Sequence, residues 1–437
     1  MRIVQLTPGA GAMYCGGCLR DNALVAALRT LGHQVTMVPL YLPLTLDEED
    51  QSAGTPIFFG GLNVYLAQKA PLFRGAPGWL RDLLASPRVL KWAAGRAAKT
   101  RASDLGELTL SMLRGEAGNQ ARDLEDLIGW LRTQPPPDAI CLSNALLLGM
   151  ARRLRTELNA PVTCSLQGED TFLDALPEPH RAACWRVLAE RAADVSTFIA
   201  PSHYFGKLMR ERLALPPGRM EVIHNGINLQ EYEGKAPGAE GAPALGYFAR
   251  MCPEKGLDTL VEAYIRLRQR NRVGPLKLRV GGSCGPADTP FVESLQTQLQ
   301  TAGLLPDAEF HPNVDHAGKV AFLKSLAVFS VPAHYGEAFG LYVLEAMAAG
   351  VPVVQPQTAA FPELVQATGG GVLCEPGNPE ALAEAIEDLL LNEPRARALA
   401  SAGQAAVRQQ FSAEAMATAI AATLARCQND PPPAAVA

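Results

Sequence analysis

Apolar runs short enough for buried strands recur along the chain, and helix-period patterns fill the gaps between them. In the first half the strand-like runs fall at 2–6, 34–38, 138–142, 162–166 and 195–200; in the second they fall at 244–249, 276–280, 327–332 and 351–354. Continuous apolar runs of this kind suit a parallel sheet covered on both faces. Between the first two runs the spacing predicts a helix over 19–31, with Leu24, Ala27, Leu28 and Leu31 on one face and Gly32 as its stop. After the run at 244–249, Leu257, Leu260, Val261, Tyr264 and Ile265 share the spacing of another buried helical face. Helices are also predicted over 145–158, 341–349, 381–390 and 413–427. Strand–helix–strand repetition specifies an α/β protein of doubly wound parallel sheets.

The rhythm breaks twice. Residues 233–243, rich in Gly, Ala and Pro, read as a linker and divide the chain into domains at 1–232 and 244–405. A length of 437 residues suits two such domains. Within the first, residues 66–132 form a helical excursion, with helices predicted over 70–84, 87–98, 105–113 and 121–131. From Lys69 to Arg101 eight Lys or Arg stand against one acid, Asp82, with Trp79, Leu80, Leu83 and Trp92 interleaved. Two readings stay open: peripheral contact with an anionic membrane or acceptor, or a solvated basic face over an apolar core. The second is favoured.

A hydrophobic content of 48% and a net charge of −5 describe a soluble globular protein and argue against nucleic-acid binding. No apolar leader precedes the first strand and no apolar stretch is long enough to span a bilayer, so a cytoplasmic protein is expected. Nine cysteines form no secreted framework and are expected as free thiols. Cys15-Gly16-Gly17-Cys18 has redox spacing ahead of a helix, which lowers a thiol pKa, but no further ligands follow at zinc-site spacing. Gly9-Ala10-Gly11 begins a dinucleotide loop. Its third position is Tyr14, and the next strand ends Val38-Pro39-Leu40-Tyr41 without the acid that holds a nicotinamide nucleotide's ribose.

The richest chemistry lies at 337–345, Glu-Ala-Phe-Gly-Leu-Tyr-Val-Leu-Glu. An apolar run closed by Pro332 comes before it, and a helix opens after Gly340. Such a strand–loop–helix points free backbone amides out of a sheet edge, where a phosphate is the usual guest. Glu345, two turns into the helix, is placed for a ribose diol; Glu337, ahead of it, can reach the group beyond the phosphates. Arg250 and Lys255 leave the first strand of the second domain, on a loop expected to be exposed. Arg supplies a bidentate fork for phosphate and Lys a point charge. A departing diphosphate needs a divalent metal or fixed cations, and the chain contains no Asp-x-Asp. In the first domain Leu166-Gln167-Gly168-Glu169-Asp170 follows a strand. Gln167 can hydrogen-bond a sugar hydroxyl but cannot act as a base, which leaves Asp170, Glu169 or a histidine at 203, 224 or 334 for that part.

Glu337, Phe339-Gly340-Leu341, Glu345-Ala346-Met347-Ala348-Ala349-Gly350 and Val351-Pro352-Val353-Val354 together resemble the Glu-x7-Glu signature of family 4 retaining glycosyltransferases. Gly16-Gly17 through Gly32-His33-Gln34-Val35-Thr36 resembles that family's amino-terminal domain, where a Gly-Gly loop faces the donor phosphates. Residues 199–202 and 222–228 resemble its domain-closing stretches, with Asn228 where Asp is usual. The resemblance implies a GT-B architecture: two facing doubly wound, Rossmann-like parallel-sheet domains, the active site in the cleft between them, and a C-terminal helix at about 413–427 completing the first. It implies a nucleotide-diphosphate sugar as donor, retention of configuration, and neither metal nor other cofactor. The family's phosphate-binding cations fall on Arg250 and Lys255. Donor contacts are then expected from Gly16, Gly17, Arg250, Lys255, Phe339, Gly340, Leu341 and Glu345, and the catalytic group from Glu337, Arg250, Lys255, Gln167 and Asp170. Gln167 stands where the family commonly carries a His that touches the sugar. The leaving phosphate itself would then accept the acceptor's proton. A glycan, a lipid-linked sugar and a small molecule all remain open as acceptor. A GT-B epimerase or hydrolase, and a non-catalytic nucleotide-sugar-binding protein, are the competing readings.

Overall fold

The computed structural model describes residues 1–9, 16–42, 48–59, 102–232 and 242–429. The basic segment from Lys69 to Arg101, the helices expected over 70–84 and 87–98, Cys15 and most of the linker lie outside them. The chain divides into two compact units, Met1–His224 with Met416–Ala437, and Asn225–Ala415.

The first unit is built on a six-stranded parallel sheet of β1 (Arg2–Thr7), β2 (Gln34–Pro39), β3 (Ala139–Leu142), β4 (Val162–Ser165), β5 (Thr197–Ala200) and β6 (Met220–Val222), in the order β2-β1-β3-β4-β5-β6. Ile3, Leu6, Ile140, Leu142, Val162 and Phe198 are buried, as strands covered on both faces require. The order reverses between β1 and β3, so the connections after these two strands leave the sheet edge in opposite directions. The helix after β1 is Gly16–Thr30, three residues longer at its start than the apolar spacing predicts. Glycines weaken a helix in isolation. Here Gly17 is packed so closely that a Cβ would lie 2.6 Å from Gln167 Oε1, and this packing outweighs propensity.

Residues expected as one helix over 145–158 split into a 3-10 segment, Ala145–Met150, and an α-helix, Ala151–Leu158. Asn144 caps the first by accepting the Leu146 N–H at 3.0 Å. Gly149 then abuts the end of the helix Ala102–Leu113, where a Cβ would lie 2.1 Å from the Met112 carbonyl. That close crossing fixes the break. The C-terminal helix, Ala413–Asn429, closes the unit: Thr423 Oγ1 donates to Glu221 Oε2 at 2.7 Å, and Gln428 Nε2 donates to the Asp138 carbonyl at 3.0 Å.

The second unit carries β7 (Ala244–Phe248), β8 (Lys277–Gly282), β9 (Ala308–Pro312), β10 (Val328–Phe329), β11 (Val353–Pro356) and β12 (Gly371–Cys374), all parallel, in the order β12-β11-β10-β7-β8-β9. The helix Leu257–Arg270 buries Leu257, Leu260, Val261 and Tyr264 on one face, at the spacing read from the sequence. Of the strand expected over 327–332, only Val328–Phe329 forms a ladder, flanked by Ala327 N–H donating to Ala244 and Ser330 N–H to Gly246. Pro332 then carries the chain away from the sheet towards the loop after β7.

β7 and β10 are neighbours at the reversal of strand order, so the loops that leave their C-terminal ends lie side by side. Gly256 sets how closely they approach. Its φ is +71°, and a Cβ there would lie 1.9 Å from the Pro332 carbonyl oxygen. Both the left-handed backbone and the contact exclude a side chain. Gly256→Ala should therefore lower stability by at least ~2 kcal/mol, read as an earlier denaturant midpoint of the unfolding step that involves the second unit. An unchanged midpoint would show that the two loops are not locked together here.

Candidate functional site

The loop after β7 bears Arg250 and Lys255; the loop after β10 bears Tyr335 and Glu337 and leads through Gly340 into the helix Leu341–Ala348. Gly340 has φ +95°, and a Cβ would lie 3.1 Å from the Phe361 ring. The Val343 N–H turns back to the Gly340 carbonyl at 2.9 Å, and with no side-chain cap the Leu341 and Tyr342 amides at the helix start are left to an acceptor from outside. Phe339 is buried under this turn and Leu341 is half-buried at its start.

Lys255 and Glu337 meet directly. Lys255 Nζ lies 2.5 Å from Glu337 Oε2, with the two side chains 18% and 14% exposed. The expectation that both cations lie on an exposed loop is thus corrected for Lys255, because the loop folds its ammonium in between Glu337 and the Tyr335 hydroxyl, to both of which it donates, with the Tyr342 ring centroid 5.1 Å away. Tyr335 and Tyr342 donate their hydroxyls to Glu337 Oε2 at 2.9 and 2.8 Å. Burial pushes the Glu337 carboxyl up, but the Lys255 charge and the hydrogen bonds from Lys255, Tyr342 and Tyr335 outweigh it and hold the group below its ordinary range. A charged carboxylate is therefore kept beside a charged ammonium at the edge of the sheet.

Arg250 does lie open, 58% exposed, and a bidentate contact orients it: Nε and Nη2 donate to Asp288, with the shortest bond 2.9 Å. Asp288 is buried and also accepts the Gly285 N–H at 3.0 Å. One edge of the guanidinium is spent on Asp288; the rest faces solvent. Glu345 pairs with Lys319 at 2.8 Å, and this lysine, from the helix His316–Lys324, is only 3% exposed. Asp288, Lys319, Tyr335 and Tyr342 went unremarked in the sequence. The Tyr pair carried a signal, since both flank Glu337 in sequence. Asp288 and Lys319 lie 38 and 26 positions from their partners and gave none.

In the first unit, Gly16 and Gly17 open the helix after β1. Gln167 Nε2 donates to the Ser143 carbonyl at 2.8 Å and lies 3.5 Å from Asp21, while its Oε1 backs onto Gly17. The amide is thus engaged with the protein at the β1/β3 reversal. Glu169 accepts the Ala145 and Gln167 N–H groups at 2.7 and 2.8 Å, one on each oxygen. That is a capping role, and it takes Glu169 out of the catalytic candidates. Asp170 is half-buried; burial pushes its carboxyl up, and its charge adds to the burial that raises the Tyr204 hydroxyl. Asp21 is fully buried. It pairs with buried Arg20 at 2.9 Å and accepts the Thr7 hydroxyl at 3.0 Å, another cluster that the sequence did not reveal. The rings of His203 and His224 stand edge-on at 6.4 Å, and His334 bonds Thr259 Oγ1 at 2.7 Å. Cys18 is buried inside the first helix. Among the described residues no group of three or more His, Cys, Asp or Glu converges as metal ligands would, and no helix is long and apolar enough to cross a membrane.

Residues 230–406 match the family model of the glycosyl transferases group 1, and residues 107–231 match that of glycosyltransferase family 4, so the two run without a break from 107 to 406. Among curated proteins, phosphatidyl-myo-inositol mannosyltransferase of Mycobacterium leprae is 32% identical over 43% of this chain and 48% of its own length. The chain spans about half the length of the first curated relatives it matches. Among solved structures, sucrose-phosphate synthase of Thermosynechococcus elongatus superposes with a TM-score of 0.70 at 20% identity, covering 97% of this chain and 98% of that one. HepE of Anabaena, solved with UDP and glucose, does so with a TM-score of 0.66 at 18% identity, covering 98% and 100%. At those identities the likeness is one of fold, and with the unbroken family match over 107–406 it leads to a plain conclusion: the chain belongs to the family 4 glycosyltransferases, built on the GT-B fold.

Proposed function

We propose that this protein transfers a sugar from a nucleotide-diphosphate sugar to an acceptor hydroxyl, retaining the configuration at the anomeric carbon and using no metal. One observation carries the reading: at the β7/β10 reversal a half-buried ammonium, a charged carboxylate and an uncapped helix N-terminus come together. The M. leprae relative, a mannosyltransferase, and the UDP and glucose held by HepE support a donor of this class.

Arg250, Lys255 and the amides that follow Gly340 bind the diphosphate, in the roles expected of fixed cations and dipoles. Glu345, steadied by Lys319, accepts hydrogen bonds from the ribose diol, and Phe339 and Leu341 shape the turn beside it. Glu337 addresses the sugar. As the bond from the anomeric carbon to the β-phosphate oxygen breaks, negative charge grows on that oxygen and the cations stabilise it. The acceptor hydroxyl attacks from the same face, and its proton passes to the leaving phosphate, so no protein base is required. Within the first unit, Gln167 backs onto Gly17 and steadies the start of the helix Gly16–Thr30.

Lys255→Ala should cost about 2–4 kcal/mol in transition-state stabilisation, measured as kcat/KM for the nucleotide sugar that a thermal-shift panel selects. Activity within a few-fold of the unmodified protein would remove Lys255 from the diphosphate. Glu345→Ala should mainly raise the donor KM, and Glu337→Ala mainly lower kcat. If both variants changed both parameters alike, the division of roles would be wrong. Turnover should continue in EDTA, since protein cations take the place of a metal; strict dependence on Mg²⁺ or Mn²⁺ would contradict that part. Binding across the panel without turnover by the unmodified protein would favour a nucleotide-sugar-binding protein instead.

A further inference from the structure

Three donors meet on a single oxygen of Glu337. Lys255 Nζ stands 2.5 Å from Oε2, and the hydroxyls of Tyr335 and Tyr342 stand 2.9 and 2.8 Å from it. They arrive from three directions: the loop after β7, the loop after β10 and the first turn of the helix Leu341–Ala348. Lys255 also donates to the Tyr335 hydroxyl, so ammonium, phenol and carboxylate close a triangle. The Tyr342 ring is held by aromatic neighbours, 6.3 Å from Phe329 and 6.4 Å from Phe361 between centroids, so packing aims its hydroxyl. A carboxylate gripped this way at one oxygen has its plane fixed, with the other oxygen left over.

Resting on the function proposed above, we propose that Tyr335 and Tyr342 are positioning residues: they hold Glu337 by Oε2 so that Oε1 is presented to the transferred sugar, and they keep that hold when the donor diphosphate draws Lys255 away. Lys255 is a compact charge on a flexible stem, and a diphosphate carries more negative charge than one carboxylate. The ammonium that pairs with Glu337 is therefore the group that a bound donor competes for. The phenols carry no charge and stay behind. Burial, and then the Glu337 charge, push both hydroxyls well above the ordinary tyrosine range, so they remain donors at any working pH. Lys255, Tyr335 and Tyr342 bond Glu337 directly, and Tyr247 and Cys252 are the next titratable groups whose charge reaches this cluster. Because the phenols favour the ionised carboxylate, removing a hydroxyl raises the pKa of Glu337, and the acid limb of activity must move up.

Tyr335→Phe, Tyr342→Phe and the double variant keep the rings and lose only the hydroxyls. The assay is nucleoside diphosphate release from UDP-glucose, GDP-mannose and ADP-glucose, with kcat and KM followed against pH and Glu337→Gln measured alongside. In the double variant the acid limb of kcat should rise by about one to two pH units, as the loss of two charge-assisted hydrogen bonds implies. At neutral pH kcat should fall roughly 10- to 100-fold while KM stays within about two-fold. An acid limb that does not move, with Glu337→Gln still inactive, would overturn this proposal and leave the proposed function standing. Full activity in Glu337→Gln, or no release from any probe by the unmodified protein, would overturn both.

Discussion

In the second unit a half-buried ammonium–carboxylate pair, Lys255 with Glu337, ties together the ends of β7 and β10. Breaking a fully buried pair by removing one partner typically costs about 3–5 kcal/mol, because the survivor is left charged and dry, and a half-buried pair such as this one falls below that. The surroundings have been arranged to lower that cost while keeping the charges. Two phenols donate to the same carboxylate oxygen that the ammonium grips, the ammonium also donates to the Tyr335 hydroxyl, and Gly256 lets the Pro332 carbonyl come close enough to hold both loops in register. A hydrophobic pair of equal volume would pack there with less penalty. Retaining two charges at a sheet edge, beside an uncapped helix, makes sense where a charged ligand is to be bound.

The topology explains why the charges are at that edge. In a doubly wound sheet the loops diverge where the strand order reverses, and the gap opens at the C-terminal ends of the two strands concerned. In the second unit those strands are β7 and β10, and every proposed donor contact of that unit is on, or within a helix of, their loops. The first unit has its own reversal between β1 and β3. There the buried Arg20–Asp21 pair, Thr7, Ser143 and Gln167 form one hydrogen-bonded cluster behind the start of the helix Gly16–Thr30. Gln167 holds that cluster together through its amide, a job that explains a neutral, two-sided hydrogen-bonding residue at this place.

Much of this was legible in the sequence wherever the signal is local. Leu257 to Ile265 announced their helix through spacing, and Gly340 announced a helix start by following an apolar run and preceding Leu-rich residues. Lys255 and Glu337 were named as site residues from their places after strands, yet not as partners of each other, since 82 positions separate them. Lys319 gave no signal, because nothing in its own helix reveals that Glu345 lies across from it. The helix over 145–158 failed for a related reason: its break is imposed by a carbonyl of Met112 against Gly149, which no local pattern contains. Propensity places Gly16 and Gly17 in a loop, and packing against Gln167 makes them helix. Local periodicity gave elements, and close contacts between distant residues decided their ends and their chemistry.

Hydrogen exchange with and without a nucleoside diphosphate tests the central claim most directly, because it locates the ligand without requiring the acceptor or the right sugar. UDP, GDP and ADP should be tried in turn. With the one that binds, amides in 250–256 and 336–345 should become protected while the outer strand β12 stays unchanged. Protection confined to other parts of the second unit, or no protection by any of the three, would contradict the placement of the donor at Lys255 and Glu337.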